Sequence, residues 1–458
     1  MGLRDRLKQA DVSPRGSLPA ATNNVLGPGP SSSGISSEEY QNLKHGLHGR
    51  LIEKLDLTTI EKLTRAQLHD ELRLILAGML AAIELPLNRQ ERDGLVEDLL
   101  DEVTGLGPLE PLLRDSSIAD ILVNRFDTVY VERFGKLELT PVRFRDNEHL
   151  VQIINRIVSR VGRRVDDSSP MADARLADGS RVNAILPPLA LDGAVLSIRR
   201  FGGSPLRVTD LLSLGSLTVE MVAFLGAAVK AKCNVLISGG TGSGKTTLLN
   251  ALSSFIPDTE RIITIEDAAE LQLQQRHVVR LETRPPNIEG RGEVVARDLA
   301  KNALRMRPDR IVIGECRGGE VLDMLQAMNT GHEGSMTTVH ANTPRDALAR
   351  VEAMVGMGGI TMSESLMRQT IARAINLVIQ LNRGTDGRRR ITSISELTGM
   401  EGATITVQEL FRFEQRGVDK EGKVTGDYRA TGVRPKLLER IERHGIDLAE
   451  VVRPFLVG

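Results

Sequence analysis

Tryptophan is absent from the 458-residue sequence, and aromatic residues make up only 3% of it. Proteins that bind single-stranded nucleic acid without sequence preference stack bases on aromatic side chains, so the sequence provides poorly for such a surface. Lysine plus arginine number 59 and aspartate plus glutamate 60, which gives a net charge of -1. Because a global positive field is also lacking, we expect no stable binding of nucleic acid.

Cysteine is scarce as well. Cys233 and Cys316 are the only two, and neither has a second Cys or His at metal-ligand spacing. This excludes a disulfide framework and a zinc knuckle and favours a reducing compartment, with Cys316 as a packed residue rather than a nucleophile. The longest apolar run, residues 74–83, is about half of the ~20 residues that a membrane-spanning helix requires, and it predicts a buried helix. Because no apolar signal core follows the charged start MGLRDRLK, we predict a cytoplasmic location.

The length predicts about three domains. Residues 1–37 are rich in Ser, Gly, Pro, Ala and Asn, which predicts a disordered tail. Residues 38–104 show leucines at helical spacing and predict a helical bundle. Residues 105–200 alternate short β-rich runs with one amphipathic helix and predict a small α/β domain, followed by a turn-rich linker over residues 201–216.

The second half of the chain carries five short apolar runs separated by helix-length segments. The runs are residues 235–238, 262–265, 278–281, 311–313 and 336–339. This pattern is typical of a mainly parallel sheet, so residues 217–383 are predicted to form an α/β domain. Residues 384–458 contain two β-like runs and a final helical segment, and they predict an extension that either completes the domain or docks a partner.

A phosphate-binding loop follows the first of these runs. The sequence GGTGSGKT matches GxxxxGK[ST] in full and leads into a helical segment. Glycines allow backbone N–H groups to converge on phosphate oxygens, Lys245 is expected to reach the β- and γ-phosphates, and Thr246 offers its hydroxyl to Mg²⁺. The predicted nucleotide-binding residues are Gly239, Gly240, Thr241, Gly242, Ser243, Gly244, Lys245, Thr246 and Thr247.

Carboxylates follow two further runs. Glu266 and Asp267 come after residues 262–265, and Glu315 ends the run RIVIGE, as in a Walker B element, although many phosphate-loop enzymes carry Asp there. Ligands of open α/β sheets bind outside the carboxyl ends of the strands. There a glutamate can hold Mg²⁺ through a water or activate the attacking water. Glu315 and Glu266 are therefore candidate catalytic residues, with an N-terminal helix cap as the alternative role of the Glu266 pair.

Two histidines lie in the segment GHEGSMTTVHANT. His332 and His340 could ligate a metal, but no third ligand stands at suitable spacing. We therefore predict a role in phosphate sensing or in coupling.

These four elements, GGTGSGKT, TIED, IVIGECRGGE and GHEGSMTTVHANT, occur in one order. Together they resemble the Walker A, Asp box, Walker B and His box of the secretion-ATPase superfamily, which serves type II and type IV secretion and type IV pili. Upstream segments GLGPLE, ILVN, DARL and DGSRVN look most like the branch of tight-adherence (Tad/Flp) pili, called TadA or CpaF. The lack of a Cys-rich zinc insertion favours the Tad and VirB-type branches. The resemblance covers about residues 105–383.

The resemblance implies a RecA-like phosphate-loop ATPase domain preceded by a small PAS-like α/β domain and an N-terminal helical bundle. It also implies a homohexamer that hydrolyses ATP with Mg²⁺ and associates peripherally with the cytoplasmic face of the inner membrane through pilus platform proteins. By the match, Glu315 is the leading catalytic base, and which glutamate activates water stays open. Arg175 and Arg181 lie in the segment that folds over the nucleotide, where a cation would stabilise the γ-phosphoryl group.

Four functions follow from these features. The first is a hexameric motor for assembly, and optionally retraction, of a tight-adherence pilus, and the alternative is a type IV secretion traffic ATPase. A RecA-like nucleic-acid motor belongs to a different class, and the neutral charge and scarce aromatics argue against it. A nucleotide-binding scaffold without turnover is disfavoured by the intact set of Lys245, Thr246, Glu266 and Glu315.

Overall fold

The computed structural model describes residues 37–54, 65–81, 88–133, 135–201, 205–286, 290–359 and 362–456. The predicted disordered tail lies outside this part of the chain, apart from Ser37, which begins the first helix. The chain divides into two compact units, one up to Phe201 and the other from Gly202. In the described ranges, no helix is both long and apolar enough to cross a membrane.

Three helices open the first unit: α1 (Ser37–Lys54), α2 (Arg65–Ala81) and α3 (Arg89–Thr104). They share a leucine core, and α3 begins at a capping box in which Asn88 accepts the N–H of Glu91. The prediction of a buried helix over residues 74–83, of which residues 82 and 83 lie outside the described part of the chain, is wrong in part. Leu72 and Leu76 are fully buried, but Leu74 is 75% exposed because α2 is amphipathic and turns this residue outward.

A six-stranded antiparallel sheet forms the rest of the first unit, with the strand order β3-β2-β1-β6-β5-β4. Helix α5, with its apolar face of Leu150, Ile153, Ile154 and Ile157, contributes to the core that this sheet covers. The elements are α4 (Glu110–Arg114), β1 (Ile118–Arg125), β2 (Thr128–Arg133), β3 (Lys136–Leu139), α5 (Asn147–Ser159), β4 (Met171–Arg175), β5 (Arg181–Ile185) and β6 (Val195–Arg199). The sequence did not predict β4 and β5, because they alternate small and charged residues and lack an apolar run.

The second unit is built on a nine-stranded sheet in the order β15-β14-β13-β12-β7-β11-β10-β8-β9. The six strands from β12 to β9 in this order are parallel, and β13, β14 and β15 are antiparallel. Its strands are β7 (Val235–Gly239), β8 (Ile262–Glu266), β9 (Val278–Glu282), β10 (Arg310–Ile313), β11 (Met336–Val339), β12 (Leu377–Arg383), β13 (Arg389–Glu401), β14 (Thr404–Val418) and β15 (Val424–Ala430). The five apolar runs therefore coincide with strands to within one residue, and the predicted α/β fold class is confirmed.

Helices flank this sheet. They are α6 (Val208–Ser213), α7 (Val219–Lys230), α8 (Lys245–Ser253), α9 (Ala296–Ala303), α10 (Glu320–Asn329), α11 (Pro344–Met357), α12 (Glu364–Ala374), α13 (Leu437–Arg443) and α14 (Ala449–Val452). Helix α6 lies inside the predicted linker, and β13 to β15 continue the sheet into the predicted extension. The start of β10 is fixed by a buried ion pair, in which Arg310 donates to Glu260 at 2.5 and 3.1 Å and to the carbonyl oxygen of Val229 at 2.8 Å.

Candidate active site

The phosphate loop connects β7 to α8. Gly242 and Gly244 have φ angles of +68° and +95°, a left-handed conformation that glycine adopts at little cost. Gly244 is the N-cap of α8, and no side chain caps the first turn. The free N–H groups at this helix end therefore face the position in which a phosphate binds in such loops.

Lys245 begins α8 and folds back over the loop. Its Nζ donates to the carbonyl oxygens of Gly239 and Gly240, both at 3.0 Å, and lies 3.9 Å from Oε1 of Glu315. Burial lowers the pKa of Lys245, and the charge of Glu315 opposes that shift. The geometry thus joins the lysine at the start of α8 to the glutamate that follows β10.

Glu266 ends β8 and is only 5% exposed. Its Oε2 accepts the backbone N–H groups of Glu270 at 2.8 Å and Leu271 at 2.9 Å, while its Oε1 is buried without a hydrogen-bond partner among the described residues. Burial raises the pKa of Glu266 to about 7, and the two N–H groups oppose the shift. A carboxyl group with a pKa near neutral is well matched to accept a proton at physiological pH.

Gly314 leaves the space that the side chain of Glu266 occupies. A Cβ atom at position 314 would lie 2.9 Å from Cγ of Glu266, closer than side-chain atoms normally approach. The carbonyl oxygen of Gly314 in turn accepts the Thr338 hydroxyl at 2.7 Å. The glycine between β10 and Glu315 therefore allows Glu266 to end the neighbouring strand β8 without a clash.

Arg317 links the carboxylates, a role that the sequence did not predict. Its Nη2 lies 2.6 Å from Oε2 of Glu315, and its Nη1 lies 3.4 Å from Oδ2 of Asp267. The pKa of Arg317 is raised mainly by its hydrogen bond to Glu315. Apart from its closeness to Glu315 in the sequence, nothing there pointed to this role.

The structure separates the two histidines. β11 runs parallel to β7 with Met336 opposite Val235 and Val339 opposite Ser238. His340 follows β11 and is exposed at the same edge of the sheet as the phosphate loop. His332 precedes β11 at the opposite edge, and its Nδ1 donates to the carbonyl oxygen of Pro308 at 2.8 Å. The structure therefore brings His340, but not His332, to the side of the phosphate loop.

The two predicted arginines belong to the first unit. Arg175 and Arg181 face each other across the register of β4 and β5, and Arg175 Nε donates to the carbonyl oxygen of Gly179 at 3.2 Å. They thus form a pair of cations on one hairpin. The other predicted site residues, from Gly239 to His340, lie in the second unit.

Cys316 is packed, as its neighbours predicted. Its Sγ lies 3.2 Å from the Thr337 hydroxyl, and burial raises its pKa to about 12. Burial disfavours the thiolate form that a nucleophile needs, which agrees with the expectation that Cys316 is a packed residue.

The residues present fit a nucleotide phosphate with Mg²⁺. The uncapped start of α8, the left-handed glycines and Lys245 suit an anion. Thr246 in the first turn and Glu315 carry the kind of oxygen donors that Mg²⁺ prefers, and they are the residues that would hold it. Oε1 of Glu266, which has no partner among the described residues, is a further acceptor for a water or hydroxyl group.

Most of the chain matches a known protein family. Residues 102–430 match the model of the type II/IV secretion system protein family. The chain belongs to this family. The match begins at the end of α3 and ends at the last residue of β15, so it covers the antiparallel sheet of the first unit and the whole nine-stranded sheet.

Similar proteins come from several organisms. "Putative conjugal transfer protein Rv3659c" of Mycobacterium tuberculosis is 40% identical over 66% of this chain and 88% of its own. VirB11 of the type IV secretion system of Bartonella quintana is 30% identical over 64% of this chain and 92% of its own. The solved VirB11 ATPase of Brucella suis is 30% identical, with a TM-score of 0.35, and covers 63% of this chain and 92% of its own.

The buried state of Glu266 predicts a pH-dependent difference in stability between the wild type and Glu266→Gln. Glutamine keeps an oxygen for the two N–H groups but does not ionise. Because burial raises the pKa of Glu266 from 4.5 to about 7, the stability linked to this proton is present below pH 4.5 and is lost as the pH rises through 7. The free energy of unfolding of Glu266→Gln should therefore gain about 3 kcal/mol on the wild type between pH 4.5 and 8.

Urea unfolding at each pH measures this difference. Glu421→Gln is the control, because that side chain is 73% exposed in an ion pair with Lys423. A difference between Glu266→Gln and the wild type that is constant across this range would contradict the raised pKa.

Proposed function

We propose that the protein is an ATP-hydrolysing motor of the type II/IV secretion family. The observation that carries the proposal is the distance of 3.9 Å between Nζ of Lys245 and Oε1 of Glu315, beside a loop with two left-handed glycines. The buried Glu266 ends β8, which pairs with β10. A scaffold that only bound nucleotide would not require two carboxylates in such different environments. Membership of the type II/IV secretion system protein family supports the same conclusion.

The chemistry follows from these groups. The oxygen of a water attacks the γ-phosphorus of ATP, the bond from that phosphorus to the bridging oxygen of ADP breaks, and the water proton passes to a carboxylate. Lys245 and the N–H groups at the start of α8 neutralise charge on the phosphates. Glu315 is the leading base, and Arg317 holds its Oε2. Mg²⁺, when bound, neutralises phosphate charge beside Thr246.

The machine that this motor serves is proposed to be a type IV secretion system, in which it acts as a traffic ATPase. The names of the relatives support this alternative better than the pilus assignment, since they are conjugal transfer and VirB11 proteins. We further infer a ring of six copies and a PAS-like first domain, from the resemblance of the motifs. By the same resemblance, it would act at the cytoplasmic face of the inner membrane, held there by partner proteins.

A tight-adherence pilus is the second candidate. It is supported by the segments GLGPLE, ILVN, DARL and DGSRVN, which resemble that branch. A deletion of the gene in its own cell, complemented with either the wild type or Lys245→Ala, distinguishes the secretion system from the pilus. Loss of substrate transfer with normal surface filaments supports secretion, whereas loss of filaments with normal transfer supports the pilus and contradicts our first choice.

Lys245→Ala should abolish ATP turnover, because the ammonium that neutralises the β- and γ-oxygens disappears.

Glu315→Gln should keep nucleotide affinity within about threefold and lower turnover by at least a hundredfold, because the amide keeps the shape but cannot take a proton. Phosphate release and ADP binding by the purified chain measure both effects.

The parallel variant Glu266→Gln decides between the two carboxylates. A larger loss of turnover in Glu266→Gln than in Glu315→Gln would transfer the role of base to Glu266. Lys245→Ala turnover within about threefold of the wild type would contradict the ATPase proposal.

Arg175 and Arg181 are proposed to stabilise charge on the γ-phosphoryl group, as the resemblance implies. Substituting either by Ala should lower ATP turnover by about 10³-fold or more, the usual effect of such arginines, and change ADP affinity little, since ADP lacks that group. Exposed Arg164 of the same unit is the control. Unchanged turnover in both variants would reduce the two residues to surface charges.

A further inference from the structure

The end of β12 lies beside the phosphate loop. β12 pairs with β7 in parallel register, and Leu381 is opposite Gly239, the first residue of the GGTGSGKT segment. The chain then turns over residues 384–388 and returns as β13, with Arg383 opposite Arg389. We call residues 383–389 the β12–β13 turn. The sheet topology therefore places this turn at the edge from which the loop projects.

The β12–β13 turn has a fixed conformation. Both oxygens of Asp386 pair with the guanidinium of Arg390, at 3.0 and 2.7 Å, and the carboxylate also accepts the backbone N–H groups of Arg388 and Val424, each at 3.1 Å. These bonds hold the pKa of Asp386 well below its usual range. Arg390 also lies over the ring of Phe413 at 5.5 Å. Residues on this turn are thus held at defined positions.

Arg389 extends from this turn onto the phosphate loop. Its Nε donates to the carbonyl oxygen of Gly242 at 2.8 Å, although the two residues are 147 positions apart. A Cβ atom at Gly244 would lie 3.3 Å from Cδ of Arg389, so the aliphatic part of the side chain passes directly over this glycine. One arginine therefore contacts both left-handed glycines of the loop.

We propose that Arg389 is a positioning residue that holds the phosphate loop in its phosphate-binding conformation and so raises the affinity for nucleoside di- and triphosphates. The inference deepens the proposed ATPase function and depends on it. In a trans peptide, the C=O and N–H groups point in opposite directions. By holding the Gly242 carbonyl on one side, Arg389 directs the N–H of Ser243 to the other side, where it lies 3.3 Å from the carbonyl oxygen of Gly240, inside the loop.

The free-energy reason is conformational. Glycines lose more freedom on ordering than any other residues, so a loop with glycines at four of its first six positions incurs a large entropic cost when it closes on a phosphate. A contact that restricts the loop in advance removes part of that cost from binding. The bond also has a charged donor, which makes it stronger than a neutral one.

Arg389→Ala in the full chain tests the proposal, with Arg388→Ala as the matched control. Arg388 is the exposed neighbour on the same turn, and only its backbone enters the bonds described above. Arg389→Ala should raise the Kd for ADP and the KM for ATP about tenfold, equivalent to about 1.4 kcal/mol. Its kcat should stay within threefold and its melting temperature within 2 °C of the wild type, while Arg388→Ala should change neither constant more than twofold.

Two further measurements separate positioning from other roles. Inorganic tripolyphosphate, used as a competitor of ADP, should lose the same factor in affinity, because the effect is exerted on phosphates and not on the base. Arg389→Lys should recover at least half of the lost binding energy, since an ammonium can still donate to the Gly242 carbonyl. Equal affinities of Arg389→Ala and Arg388→Ala would overturn the proposal.

Two other results for Arg389→Ala would also overturn the proposal. One is a lowered kcat with an unchanged Kd for ADP. The other is a fall in affinity accompanied by a melting temperature as low as that of Asp386→Asn, a variant that removes charge from the carboxylate holding the turn. If the wild type binds ADP and hydrolyses ATP while Arg389→Ala behaves like it, only the inference about Arg389 fails. A wild type that neither binds ADP nor hydrolyses ATP contradicts the ATPase function itself, and with it the inference.

Discussion

Parallel pairing is the constraint on which the site depends. Because β7, β8 and β10 run in the same direction in one sheet, all three strands end at the same edge of that sheet. The phosphate loop, Glu266 and Glu315 therefore meet although they are far apart in the sequence. The buried pair of Arg310 and Glu260 at the start of β10 fixes the other end of that strand, so the position of Glu315 is set from both ends.

The two glutamates occupy different environments, and this gives them different chemistry. Glu266 is buried beneath Gly314 and has a pKa near neutral, whereas Glu315 is partly exposed and paired with Lys245 and Arg317. A buried carboxyl group and a partly exposed one that is paired with cations can divide the roles of holding a proton and holding charge. Gly314 permits the arrangement, since any side chain at that position would displace Glu266.

The sequence predicted what depends on local patterns. Apolar runs located the five strands to within one residue, and the glycine pattern located the phosphate loop. It did not show at which end of a strand a residue lies, so His332 and His340 were grouped although they lie at opposite ends of β11. Nor did it indicate Arg317, whose role depends on a contact with Asp267, or β4 and β5, whose residues are too polar to form an apolar run.

Arg389 shows why the remainder required the fold. The sequence divided the chain after residue 383, because the motifs end there, yet β12 is the parallel neighbour of β7 and its return strand begins beside the phosphate loop. The glycines that suit the loop to a phosphate also give it conformational freedom, and the side chain that restricts it from outside is not part of GGTGSGKT. That restriction comes from a strand pair formed much later in the chain. The C-terminal strands therefore belong to the site in the same physical sense as the loop itself, because they limit the conformations from which binding begins.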